Sequence, residues 1–234
     1  MSLLALNPRA VTMLRAALPF IEEYSCGWRI NVCVDPDPAA GRVRIVATDG
    51  CALFAGAVQA QFIGAAPAPV LLRGASLRQA LSAFRPAGLR RAEASSGALA
   101  IEADEMRRTA CLSLVKSVNS DSTPEELRDP KRIIATAQVL TADERYVDYR
   151  RAIPAPVSMS EQAQPAAIHP KYLEPICKAA ELLDDRATKA AHVRFFAHDA
   201  MSVQCTALSS DAIALVMPMR ADSAEYADVY ATIF

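Results

Sequence analysis

The sequence predicts an α+β fold in which amphipathic helices lie on one face of antiparallel sheets, and three observations lead there. Three stretches carry apolar residues at helical spacing, and each is followed by segments with strand character. The order of helix then strands recurs roughly every 60 to 80 residues, the mark of a degenerate internal repeat.

The first helix follows Asn7 as cap and Pro8 as first position, with Val11, Leu14, Leu18 and Ile21 on one stripe. Strands are expected at Arg29–Val34, Arg42–Ala47 and Ala52–Val58, with Asp35-Pro36-Asp37-Pro38 as a turn. Ser76 is the expected cap of a second helix bearing Leu77, Ala80, Leu81 and Phe84, and strands Leu89–Ala94, Ala98–Ala103 and Thr109–Val115 follow. Asn119 to Lys131 reads as a loop or a short capped turn, then Ile133–Leu140 and Arg145–Ile153 as two further strands. Ala155 to Pro165, rich in Pro, Ser and Gln, reads as a linker. Pro170 opens a third helix with Leu173, Ile176, Cys177, Ala180 and Leu183 on one side, before strands His192–Ala197, Ser202–Ala207 and Ala212–Pro218. The linker divides the chain into 1–154, with two such units, and 155–234, with one, so either a fourth unit is hidden or the second part is shorter.

With 234 residues, 52% of them hydrophobic, the chain can bury a substantial core. No apolar run approaches the roughly 20 residues of a membrane span, and residues 1 to 6 lack the features of a signal peptide, so a soluble cytoplasmic protein is expected. Six cysteines (Cys26, Cys33, Cys51, Cys111, Cys177, Cys205) lie mostly in apolar patterns without a C-x-x-C pair, which predicts reduced core thiols. A net charge of −1 excludes binding nucleic acid through bulk positive charge but leaves room for a local basic surface.

Enzyme signatures are weak: there is no G-x-S-x-G, P-loop, H-E-x-x-H or dinucleotide glycine pattern. Of three histidines (His169, His192, His198), the last two are about 20 Å apart on a strand, too far to share a metal. Asp49 and Asp148 read as turn and ion-pair residues. No catalytic residue, metal or cofactor is expected.

Three segments carry a resemblance: Ala47-Thr48-Asp49-Gly50, Asp148-Tyr149-Arg150-Arg151-Ala152-Ile153-Pro154, and Ala214-Leu215-Val216-Met217-Pro218-Met219-Arg220. In this order they resemble the bacterial sliding clamp, the beta subunit of DNA polymerase III. Residues 1–154 look like that family's middle domain and the later part like the closing half of its last domain, as in a shortened, phage- or prophage-type form. The resemblance implies a DNA clamp fold and a replication accessory protein that abuts or surrounds duplex DNA without reading sequence and tethers a polymerase or other replication protein. Family rings hold six domains, so two domains per chain would close as a homo-oligomer of three chains, whereas one and a half fit no obvious ring.

The same resemblance implies that the helices face DNA through Arg9, Arg15, Arg73, Arg78, Arg85, Lys171, Lys178, Arg186 and Lys189. Lys171 and Lys178 share a helix face, although Glu174 and Lys178 also have the spacing of a plain ion pair. A cleft for short peptides would be lined by Thr48, Gly50, Leu53, Arg151, Ala152, Leu215, Val216, Met217, Pro218, Met219 and Arg220. Where the family usually continues His-Arg-Leu after the glycine, this chain has Cys51-Ala52-Leu53. The chain runs on from Arg220 to Tyr230-Ala231-Thr232-Ile233-Phe234, and residues 221–234 are expected to fill the cleft of this chain or a neighbour. Two other readings stand beside this one: a clamp-fold interaction module that does not encircle DNA, and an unrecognised α+β enzyme.

Overall fold

Strand β1 (Leu3–Leu6) leads into helix α1 (Arg9–Ala17), and β2 (Asn31–Asp37), β3 (Arg42–Thr48) and β4 (Ala52–Ile63) follow. The pattern repeats as β5 (Val70–Arg73), α2 (Gly74–Leu81), β6 (Ala98–Asp104), β7 (Thr109–Val115) and, after the short turn α3 (Pro124–Leu127), β8 (Ile133–Ala142). A third round comprises β9 (Met159–Ser160), α4 (Pro170–Leu183), β10 (Phe196–His198), β11 (Val203–Ser209) and β12 (Ala212–Val216). The computed structural model describes residues 3–63, 68–84, 88–90, 92, 96–119, 122–153, 159–160, 168–183, 196–198 and 203–217, without the side chains of 159–160, 196–198 and 203–207.

The first two rounds close on each other. β1 pairs with β6 of the second unit and β5 pairs with β2 of the first, while the ends of β4 and β8 return to β1 and β5. All eight strands are thus joined antiparallel in a cycle, β1-β6-β7-β8-β5-β2-β3-β4, related by a pseudo-two-fold exchange. The third unit attaches by β12, which lies antiparallel along Ala52–Gly56 of β4.

Strand alternation sorts the side chains. Val32, Val34, Ile45, Ala47, Phe54, Leu72, Leu99, Ile101 and Leu112 point inward, where they pack with Val11 and Leu14 of α1, Leu77 of α2 and Ile176 and Leu183 of α4 in one core. Phe20 and Phe54 meet there at 5.6 Å between ring centroids. The opposite side of the β5–β2–β3–β4–β12 sheet carries Cys33, Val46, Leu53, Leu71 and Leu215, covered in part by Tyr149.

Several expectations need correction. β1 carries no helix or turn signal of its own and was not foreseen; all four of its residues are buried between β4 and β6. β2 runs through Asp35-Pro36 instead of turning, and the turn comes at Pro38–Ala40. Asn7 caps as expected, its Oδ1 accepting the Arg9 N–H at 2.9 Å. Ser76 does not cap: β5 feeds α2 directly, and the Ser76 hydroxyl accepts the Leu140 N–H of β8 at 3.0 Å. Gly88–Arg90 and Ala92 are helical where a strand was expected, since Leu89 and Ala92 reach the core at helical spacing. Arg145–Ile153 forms a 3-10 turn (Tyr149–Arg151) and no strand, because β8 already occupies the edge of β5. Thr123 accepts the Glu126 N–H and caps α3, within the loop or capped turn foreseen there.

The cysteines are less uniform than their apolar neighbours suggest. Cys33 is buried and Cys111 half-buried, but Cys26, Cys51 and Cys177 are exposed, Cys177 on the outer face of α4. The Cys205 side chain, His192 and most of the linker lie outside the described residues. Among the described residues, no helix is long and apolar enough to cross a membrane.

Gly97 enters β6 under close cover: a Cβ there would lie 2.2 Å from the Val115 carbonyl oxygen and 2.8 Å from that of Ala92. Both are backbone atoms and cannot swing aside. Gly97→Ala is expected to lower the unfolding free energy by about 1–3 kcal/mol in urea denaturation.

Candidate functional site

Two surfaces gather the residues singled out by the sequence. The first is the helix face. α1 packs between α4 on one side and α2 on the other, and a groove of about 750 Å³ opens between the Leu18–Tyr24 segment and α4. Arg15, Arg78, Lys171 and Lys178 line it, and so do Glu22, Glu23, Asp49 and Glu174. Its formal charges therefore balance.

Most of these cations are engaged. Arg15 donates to the carbonyls of Leu81 (3.0 Å) and Phe84 (2.6 Å), so α1 supplies a cationic cap to the last turn of α2. Arg9 pairs with Asp211 at 2.9 Å; Asp211 also accepts from the Ser209 hydroxyl at 2.6 Å, tying α1 to the β11–β12 turn. Arg78 pairs with Glu23, and Lys178 with Glu174 at 2.6 Å, one helical turn away. Arg73 and Lys171 are exposed and, among the described residues, have no acidic partner within 4 Å; Lys171 stands 5.7 Å over the Tyr172 ring. Arg85, Arg186 and Lys189 lie outside the described residues.

The second surface is the outer seam where β4 meets β12. Leu53 and Leu215 are directly opposed across the strands and buried together on the outer face. Met217 follows, 57% exposed, its N–H donating to the Cys51 carbonyl at 2.8 Å. Above them the Thr48–Leu53 turn is held from within. The Thr48 hydroxyl donates to the Ala52 carbonyl (2.6 Å) and accepts the Gly50 N–H (3.0 Å), while Asp49 Oδ1 accepts the N–H groups of Cys51 and Ala52 at 2.8 Å each. Gly50 has φ +98°, and a Cβ there would meet Trp28 at 3.5 Å, so glycine suits both the turn and its aromatic neighbour. Arg151 and Ala152 are exposed at the end of the Tyr149–Arg151 turn, whose next residue, Ile153, packs on the Leu53–Leu215 cluster. Val216 lies fully buried on the helix side, which its alternation with Leu215 requires. Pro218, Met219, Arg220 and the tail 221–234 lie outside the described residues.

Sequence reading missed the groups that fix this seam. Asp35, taken for a turn residue, is buried on the outer face, where Tyr149 donates to it, Arg150 pairs at 2.5 Å and Arg44 stands at 3.9 Å. Tyr146 donates to the Val46 carbonyl at 3.3 Å and meets Trp28 edge-on at 6.4 Å. The signal available was the Tyr-Arg-Arg segment itself, whose tyrosine and first arginine turn out to grip Asp35. Burial, with the Asp35 charge second, pushes the Cys33 thiol up to about 12; burial and then the hydrogen bond to Asp35 push the Tyr149 phenol well above its usual range. No cluster of three or more His, Cys, Asp or Glu suited to a metal occurs among the described residues.

No protein-family model and no curated protein matches the sequence. Among solved structures, the chain resembles the Helicobacter pylori beta clamp bound to a DNA ligase peptide, with TM-score 0.62 and 12% identity over 94% of this chain and 65% of that one. It resembles the DNA polymerase III beta subunit of Pseudomonas aeruginosa at TM-score 0.59 and 13% identity, covering 94% and 66% respectively. For the Bacillus subtilis sliding clamp the values are 0.57 and 12%, with 95% and 65% covered. The chain has the fold of bacterial sliding clamps and spans about two thirds of their length.

Removing the buried Asp35 carboxylate leaves the Tyr149 phenol without its acceptor and Arg150 without its carboxylate, while Arg44 keeps its pair with Asp37. Asp35→Ala is expected to cost about 3 kcal/mol in urea unfolding, and Arg150→Ala less, because the Arg150 side chain is 59% exposed. The raised thiol pKa has the opposite sign to an ion-paired acid: the folded state favours protonated Cys33, so this contribution is complete below pH 9.0 and is lost as pH climbs toward about 12. Peptide mapping after brief alkylation at neutral pH should therefore find Cys26, Cys51 and Cys177 modified and Cys33 intact.

Proposed function

We propose that this protein is a clamp-like DNA-replication accessory factor that binds a short apolar segment of a partner at the β4–β12 seam and sets its helix face against duplex DNA without reading bases. It acts by holding molecules together and needs no catalytic group. The observation that carries the reading is the pairing of Leu53 with Leu215 at the end of β12, where exposed Met217 follows, beside the glycine turn and the Tyr149–Arg151 segment. An exposed methionine next to a buried apolar pair suits varied apolar side chains. Tethering raises the local concentration of the partner, so even a weak contact would keep a replication protein at its template.

The peptide arm is tested by fluorescence anisotropy with a labelled peptide from a replicative polymerase tail. Met217→Glu combined with Arg151→Glu is expected to weaken binding at least about tenfold, with the circular dichroism spectrum unchanged. Equal affinity of variant and parent would overturn the seam as the docking site.

A second reading, a clamp-fold interaction module that does not engage DNA, draws support from the balanced groove and the paired Arg9, Arg78 and Lys178. Salt dependence separates the two. If the helix face touches phosphates, Arg73→Glu with Lys171→Glu should flatten the slope of log K against log salt by about 2. An unchanged slope assigns the protein to the second reading.

A further inference from the structure

The outer face of the sheet holds a second recess, away from the β4–β12 seam. Residues 144–150 pass over β5 and β2 there, and a cavity of about 320 Å³ lies beneath them. Its floor is Cys33, Asp35 and Leu71. Cys33 stands opposite Leu71 in the β2–β5 ladder, and alternation puts Asp35 on the same side. The ladder stops at Val70, because Pro69 before it has no N–H with which to extend it. β3 separates this recess from β4 and the seam.

One oxygen sets the chemistry of the cavity. The donors that reach Asp35 all meet Oδ2: the Tyr149 phenol, Arg150 at 2.5 Å and Arg44 at 3.9 Å. Oδ1 has no donor among the described residues and is not sealed from solvent, although the side chain as a whole is only 7% exposed. A nearly buried carboxylate oxygen without a donor favours a ligand that brings one, and a cationic donor most of all. Glu144 and Asp148, both exposed, line the same cavity and have no ion-pair partner among the described residues. Against Arg145 and Arg150 the lining keeps an excess of one negative charge, and Arg150 is already committed to Asp35. The remaining wall is apolar, with Leu71, Pro69 and half-exposed Val147, and burial keeps the Cys33 thiol neutral.

We infer that this cavity binds a small organic cation, an ammonium head on an apolar body, with the head donating to Asp35 Oδ1 and the body lying over Leu71 and Cys33. An anion would meet three carboxylates at close range, and a purely apolar ligand would leave Oδ1 without a donor. The volume lies at the small end of ligand pockets, which limits the body to a short alkyl or aryl group. A bound cation also touches the segment that continues through Tyr149–Arg151 to Ile153, which packs on the Leu53–Leu215 cluster. The inference rests on this cavity alone and is independent of DNA or peptide binding.

The test is calorimetric titration with n-hexylammonium, with 1-hexanol as the neutral probe of equal length and hexanoate as the anionic one. Saturable binding of the ammonium is expected, at least about tenfold tighter than 1-hexanol, with hexanoate weakest of the three. Trp28, the one tryptophan of the chain, meets Tyr146 of the cavity wall edge-on at 6.4 Å, so its emission should change with the same midpoint. Asp35→Asn is expected to weaken ammonium binding at least about tenfold. Should that variant fail to fold, Glu144→Gln with Asp148→Asn, both at exposed positions, is expected to weaken it about threefold. Absence of saturable ammonium binding, equal affinity for the ammonium and the alcohol, or unchanged affinity in a folded variant overturns the proposal.

Discussion

Reciprocal strand exchange is the constraint on which the rest of the structure depends. Because β1 pairs with the second unit and β5 with the first, neither unit can bury its sheet without the other. Closing eight strands into a cycle removes most exposed edges, the usual weakness of antiparallel sheets. It also fixes an inside and an outside. Once the inner face carries Val34, Ile45, Phe54, Leu99 and Leu112, the helices must lie over that face, and alternation sends Cys33, Val46 and Leu53 outward. Both candidate surfaces follow from this single sorting.

The charges on the helix layer act largely within the molecule. Arg15 ends α2, and Arg9 joins the first unit to the third through Asp211. Both Nη2 hydrogens of Arg15 hold the Leu81 and Phe84 carbonyls, which fixes the guanidinium against α2 while three of its five N–H donors remain. Exposed pairs such as Arg78–Glu23 and Lys178–Glu174 are different, since each contributes little to stability in water and a polyanion can compete for the cation. On the proposed reading, contact with DNA would be made by Arg73 and Lys171 first and by these exposed pairs second. It would also be weak and steeply salt-dependent.

The legible part of the fold was what periodicity encodes. The stripes Val11–Leu14 and Leu77–Leu81 and the strand Thr109–Val115 were placed closely, because each shows one period against a clear inner face. β1 was invisible: Leu-Leu-Ala-Leu, buried on both faces, shows no alternation and is too short to tell from a helix fragment. Arg145–Ile153 misled in the opposite way. Its alternating residues suit a strand, yet the sheet edge they would need was already taken by β8, a fact about distant residues that no local pattern contains.

The candidate site was legible as motifs and illegible as geometry. The three motif segments stand hundreds of backbone atoms apart, but β4–β12 pairing places the first and last side by side, and Asp35 draws in the Tyr149–Arg151 turn between them. A motif carried over residue by residue cannot assign a face. Strand alternation can: Leu215 lies outward with Leu53, while Val216 is sealed in the core, so only every second residue of β12 is able to meet a ligand on the outer side. The chemistry that such a seam offers is therefore apolar at its floor, with Met217 and Arg151 as the adjustable groups at its rim. Asp35 has another role. By fixing the phenol and guanidinium of the turn, it holds that rim in position without itself being exposed to whatever binds there.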